Sequence, residues 1–299
     1  MAKITKANPS LSSLRNQIDE IDNKIHDLLM DRVKIVKNVG LAKAKSGDSI
    51  FRPAREAQML RRIKQRHRGP FSFPATARIW REIIGASLSV ESNFLVSVYV
   101  PEPVTVGLAY IALAKNHFGA ETQLLYAQTE AGVLRAVRDG KASVGILPIP
   151  SDNHTKRASA EPWWYTLAVS GDNRPNIVAS VPWLNDPNHG QEDINALAIG
   201  RADPEISNID ATLIAFESTD NISRDRIRKE AEQLGLPMDW AATWTDHAQG
   251  NRWQLAEIDG FIVKEDDRVK ELFSIFGYDL IRSVNLGSYA KPEDTVDIS

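Results

Sequence analysis

Arg15, Arg32, Lys43, Arg52 and Arg55 stand within the first 55 residues of the chain, and Glu56, Ser87 and Glu91 follow them. Guanidinium groups grip carboxylates and phosphates in a planar, bidentate way, and an ammonium supplies a compact point charge beside them. The set therefore points to the capture of a small polyanion. Arg32 and Lys43 are 11 residues apart, close to three helical turns, so on a helix both project from one face. Arg55 and Glu56 open a second helical segment, and Ser87 and Glu91 are i,i+4 neighbours on a third. Arg15 precedes Arg32 by 17 residues, about 25 Å along a helix. That span prevents the two from sharing a metabolite-sized ligand in one chain, whereas Arg15 can serve the site of a partner copy.

The elements that must hold these groups are legible as periodicity. Helix one is expected from Leu14 to Lys45 behind a cap at Ser10, Ser12 or Ser13. Leu14, Ile18, Ile21, Ile25, Leu28, Leu29, Val33, Ile35, Val36 and Val39 recur at the three-and-four spacing of one face. A rod of about 45 Å is too long for a small bundle to cover, which predicts a homodimer of intertwined long helices. Helix two is expected from Arg52-Pro53, with proline in the first turn where its missing amide costs nothing, to Gln65. Helix three is expected from Ala75 to Asn93.

From Val96 the pattern changes to strands at 96–100, 104–108, 122–127, 142–148, 164–169, 177–182 and 196–200, with helices at 109–118 and 131–139. This alternation predicts a truncated parallel α/β layer, with turns at 151–163 and 184–194. The last 90 residues predict βαββαβ: strands 212–216, 239–245, 254–263 and 280–286, helices 224–234 and 267–276. The fold class is thus multidomain α and α/β, with expected domains at 1–95, 96–209 and 210–299.

Composition narrows the partners. The 299 residues are 42% hydrophobic, enough for about two domains. The absence of cysteine excludes disulfides, thiolate metal sites and a cysteine nucleophile. The six histidines lack ligand spacing, so neither a metal nor another cofactor is expected. The start MAKITKANPSLSSL has no apolar signal core, and no apolar run reaches the roughly 18 residues of a membrane span. A cytoplasmic protein follows, with the sequons at Asn153 and Asn221 unused. The net charge of −3 conceals 18 Lys+Arg against 9 Asp+Glu in residues 1–95, leaving 18 against 30 in the remainder. A helical module so basic implies an anionic partner, either a metabolite or a nucleic acid. Arg61, Arg62, Lys64, Arg66, Arg68, Arg78 and Arg81 read as solvated surface, and Trp163, Trp164, Trp183, Trp240, Trp244 and Trp253 as core or interface.

Five pieces in order, Leu14-Arg15-x-x-Ile18-x-x-x-Asp22, Leu28-Leu29-x-x-Arg32, Val39-Gly40-x-Ala42-Lys43, Arg52-Pro53-x-Arg55-Glu56 and Ile83-Ile84-x-x-Ser87-x-x-x-Glu91, resemble the all-helical chorismate mutases over about 80 residues. The resemblance implies a three-helix, intertwined-dimer enzyme that converts chorismate to prephenate in aromatic amino-acid biosynthesis. Arg15 of one protomer and Arg32 of the other would grip the substrate carboxylates. Lys43 would meet the ether oxygen and a carboxylate, and Glu56 would take the substrate hydroxyl. Ser87 would assist at a carboxylate, and Glu91 would face Lys43 across the ether oxygen. Arg55 is left between substrate contact and pairing with Glu56 or a neighbouring acid. Many members of the family have Gln at the position of Glu91. A carboxylate there must carry a proton to donate, a state favoured by burial and opposed by the Lys43 charge. Arg52 stands where the family often has Asp that contacts substrate through its backbone.

The final βαββαβ resembles an ACT-type module, and Val284-Asn285-Leu286-Gly287-Ser288-Tyr289 resembles the Leu-Gly-Ser-Tyr ending of prephenate dehydratases. The overall order is similar to bifunctional chorismate mutase/prephenate dehydratases. The dehydratase motifs Gly-Thr-Phe-Ser, Pro-Ile-Glu-Asn-Ser and Thr-Arg-Phe have no match at Gly107-Leu108-Ala109-Tyr110, Pro148-Ile149-Pro150-Ser151-Asp152 or Ala196-Leu197-Ala198-Ile199. The module also lacks the family's phenylalanine-binding motifs, with Asn221-Ile222-Ser223 near the first. The expectation is an active mutase with a non-catalytic, structural or regulatory C-terminal region. A retained dehydratase is the first alternative. A non-catalytic basic dimer that binds nucleic acid or a protein is the second.

Overall fold

The computed structural model describes residues 10–47, 49–152, 161–185, 194–246 and 250–294. Residues 153–160 and 186–193 of the expected turns, and with them His154 and His189, lie outside the described residues, as do Asp48 and His247. The chain divides into two compact units, Met1–Ile50 with Ser87–Asn93, and Phe51–Ala86 with Phe94–Ser299.

In the first unit α1 runs Leu11–Ser46, about 54 Å of helix. Ser10 caps it by accepting from the Ser13 amide, and Gly47, at φ 78°, ends it by returning its N–H to the Lys43 carbonyl. Gly40 is its buried residue, because a Cβ there would lie 3.3 Å from Glu91 Cα. The apolar stripe stays open: Leu14, Ile18, Ile21, Ile25, Leu28, Ile35 and Val39 are 41–67% exposed.

The second unit holds α2 (Pro53–Arg66), most of α3 (Phe73–Glu91), β1 (Leu95–Tyr99), α4 (Val104–Phe118), β2 (Gln123–Ala127), α5 (Glu130–Arg138), β3 (Val144–Pro148) and α6 (Trp163–Val169). Then come β4 (Asn176–Val181), β5 (Leu184–Asn185), β6 (Ala196–Gly200), β7 (Asp210–Ser218), α7 (Arg224–Gln233), β8 (Met238–Asp246), β9 (Asn251–Asp259), α8 (Asp267–Phe276), β10 (Leu280–Ala290) and β11 (Glu293–Asp294). Nine strands form one sheet in the order β2-β1-β3-β6-β4-β10-β7-β9-β8, and β5 pairs β11. The last four strands alternate with α7 and α8 in the expected βαββαβ order, all antiparallel.

Three expectations need correction. The layer is mixed: β1 is parallel to β2 and β3, whereas β6 runs antiparallel to β3 and β4. These central strands are buried along their whole length, so local alternation carries no information on direction. The expected strand at 104–108 is the start of α4, where Gly107 lets the helix approach β1; a Cβ there would lie 2.5 Å from Val100 Cγ1. The expected strand at 164–169 is α6, whose Trp163, Trp164, Tyr165, Leu167 and Ala168 are all buried. Five buried residues in a seven-residue helix leave too little polar face to reveal its period.

The expected boundary at 209/210 falls inside the continuous sheet, because β10 pairs β4 through Gly287 and Ile177. A Cβ on Gly287, at φ 133°, would lie 2.1 Å from the Ile177 carbonyl oxygen. Elsewhere in this unit α3 meets the end of α4 through Gly85, whose Cβ would fall 1.9 Å from the Phe118 oxygen, and Glu82 accepts from the Ala120 amide. Along α2, Arg61 donates to Glu293, to Ser207 and to the Ile209 and Lys291 carbonyls, and Lys64 reaches the other Glu293 oxygen. Gly287→Ala is expected to destabilise the fold by about 3–5 kcal/mol. Gly250→Ala, also at positive φ but with nothing within 4 Å, should cost about 1–2 kcal/mol; melting curves of the two variants check this difference.

Candidate active site

The first unit brings four of the sequence-selected residues together. Arg32 and Lys43 project from the same side of α1, and Ser87 and Glu91 from the last turns of α3. Arg32 Nη1 donates to Ser87 Oγ, and Lys43 Nζ donates to Glu91 Oε2 at 2.9 Å and to the Ile50 carbonyl at 3.2 Å. The Lys43 and Glu91 side chains are only 13% and 9% exposed. Burial pulls the Arg32 guanidinium below its ordinary range, and the Glu91 charge partly restores it. An arginine remains cationic under such a shift. Two cations, a hydroxyl and one carboxylate thus share a partly dry site, an arrangement suited to holding a carboxylate and to placing a charged donor against a developing negative charge.

Arg15 lies far up α1 on an exposed turn, and it joins none of these contacts. The remaining candidates belong to the second unit. Arg52 precedes α2 and pairs with Glu205 at 2.8 Å, on the surface. Arg55 is exposed on the first turn of α2. Glu56 pairs with Arg81, Nη1 to Oε2 at 2.8 Å, and this acid is therefore held by α3 rather than by its neighbour Arg55.

Arg81 is the correction to the expected surface set: it is 8% exposed. Arg61, with its multiple bonds, is a second, and Lys64, ion-paired with Glu293 and only 23% exposed, is a third. A signal for Arg81 existed in the sequence, since Ala77, Arg81, Ile84 and Leu88 follow one helical face and are all buried. Of the tryptophans, Trp163, Trp164, Trp183 and Trp253 are core residues.

Parts of this chain are similar to known proteins. The bifunctional chorismate mutase/prephenate dehydratase of Pseudomonas aeruginosa is 30% identical over 155 residues, covering 48% of this chain and 41% of that protein. That of Aquifex aeolicus is 32% identical over 143 residues, covering 46% and 38%. The chain thus spans about two fifths of the length of these relatives. Among solved structures, a prephenate dehydratase from Streptococcus mutans aligns with 67% of this chain and 98% of its own at 13% identity and a TM-score of 0.44. The family match is confined to the helices: residues 14–92, which contain Arg32, Lys43, Ser87 and Glu91, match the chorismate mutase type II family.

Proposed function

We propose that the chain is a dimeric, cofactor-free chorismate mutase that works by electrostatic assistance, with a C-terminal region that serves a structural or regulatory role. The observation that carries this reading is the pairing of Arg32 with Ser87 and of Lys43 with Glu91 on facing helices. Chorismate is a dianion whose rearrangement to prephenate is one pericyclic step, in which the ether C–O bond breaks as a new C–C bond forms. Negative charge gathers on the ether oxygen, and no proton, nucleophile or redox group is consumed. Fixed donors aimed at that oxygen, together with clamps that hold the reactive conformer, suffice for rate enhancement. Arg32 and Ser87 would hold a carboxylate, while Lys43 would donate to the ether oxygen, with Glu91 facing it across that oxygen.

The open stripe of α1 supports the dimer, because so long an apolar face needs cover from another copy. Its isologous pairing would bring Arg15 of one protomer to the carboxylates held by Arg32 of the other. Arg52, Arg55 and Glu56 belong to the same reading through the family motif, with Glu56 on the substrate hydroxyl. The bifunctional names of the relatives favour a second reading in which dehydratase activity is retained, and product analysis separates the two.

Purified protein given chorismate should form prephenate without phenylpyruvate; phenylpyruvate would establish the second reading, and no turnover would remove the mutase. Lys43→Ala should lower kcat at least about 100-fold, as loss of a preorganised donor does. Glu91→Gln, which puts a neutral amide donor in place of the carboxylate that faces Lys43, should stay active in the same assay, whereas Glu91→Ala should lower kcat by about 100-fold; an unchanged kcat in Glu91→Ala would count against the role of Glu91. Arg15→Ala and Lys43→Ala proteins, each inactive alone, should regain about a quarter of wild-type activity when mixed and allowed to exchange subunits, as read by the same assay.

A further inference from the structure

We propose that His117, in the last turn of α4, is an acid-sensitive latch that keeps α4 docked on α2 and α3 only while its imidazole is neutral. The device lies wholly within the second unit and is independent of the mutase reading.

His117 is 6% exposed and lines a small cavity with Glu56, Arg81, Ser180 and Trp183. Glu56 and Arg81 are the charged members of that lining, and they already neutralise each other across 2.8 Å. A proton on His117 would set a second cation beside Arg81, with one carboxylate to serve both, where little water reaches them. The other elements around the ring do not restore the balance. Strand β4 presents Ala179 and Ser180, and β10 presents Ala290. On α3, Glu82 is taken up as acceptor of the Ala120 amide. On α4 itself, Lys115 adds a further positive charge, bound to the Ala120 and Thr122 carbonyls. Among the described residues that line the cavity, no second carboxylate answers a charged imidazole.

The ring is also held in place. It packs edge-on against Phe118, with ring centroids 4.7 Å apart, and the Phe118 carbonyl oxygen lies where a Cβ on Gly85 of α3 would fall. Reaching bulk water therefore means parting α4 from α3. Burial and, next, the charge of Arg81 push His117 well below its ordinary value of 6.5, the direction that the charge count requires. Once the junction opens, the imidazole regains water and its ordinary value. The stability supplied by the neutral ring is thus complete above about pH 6.5 and is lost progressively as pH falls below it, toward the lower native value.

Hydrogen exchange along α4 in the full chain tests this. Between about pH 7.5 and about pH 5.5 the protection of its last turn, corrected for the intrinsic exchange rate, should fall about tenfold in the unaltered protein. In His117→Gln, which cannot take up a proton, it should hold nearly constant. Equal losses in the two proteins would overturn the latch. A ring-proton NMR titration of the unaltered protein supplies a readout that needs no variant, should His117→Gln fail to fold. One of the six histidines should then stay neutral to below about pH 5.5, whereas all six titrating within about half a unit of 6.5 would overturn the proposal.

Discussion

Removing a cation from water is the constraint on which this structure depends. Arg32, Lys43, Arg61 and Arg81 all have side chains drawn largely out of solvent, and each desolvated charge must be compensated locally. Three of them are met by carboxylates: Lys43 by Glu91, Arg61 by Glu293 and Arg81 by Glu56. Arg32 instead donates to the neutral hydroxyl of Ser87 and feels Glu91 through space. The first-unit cluster therefore keeps more positive than negative charge, as a receptor for an anion should, whereas Arg61 and Arg81 are each balanced by a carboxylate.

The same constraint explains why α2 is so firmly attached within its unit. Arg61 has its donors taken by Glu293, Ser207 and two carbonyls, and Lys64 shares the Glu293 carboxylate. Behind these polar contacts Ala57, Leu60, Phe73, Ala77, Trp183 and Ala290 form an apolar cluster. The helix that bears Glu56 thus rests on the sheet-bearing part of the chain, which gives the C-terminal region a physical task whether or not it retains chemistry of its own.

That sheet works as one body because Gly287 lets two backbones meet. The antiparallel β10-β7-β9-β8 set would otherwise stand as a separate module, with its own core of Ile214, Phe216, Ile227, Ile258 and Leu272 beneath α7 and α8. Its opposite face contributes Ala211, Leu213, Ala215 and Leu255 to the core that also contains α5 and α6. Strand β7 is consequently buried along its entire length, a residue pattern that neither half of the sheet would need alone.

The sequence by itself determined the local and periodic features. The span of α1, the starts of α2 and α8, the βαββαβ order and the placement of Arg32 with Lys43 and of Ser87 with Glu91 on shared helix faces all follow from spacing. These features depend on contacts between near neighbours, and the periods of 3.6 and 2 expose them. The tertiary structure alone decided the direction of β6, the helical state of 104–108 and 163–169, the fusion of the two sheet regions and the partner of Glu56. Each of these is set by a group distant in sequence: strands covered on both faces lose their alternation, Gly107 and Gly287 are explained only by Val100 and Ile177 beside them, and Arg81 differs from a surface arginine only because an acid 25 residues earlier meets it in the interior.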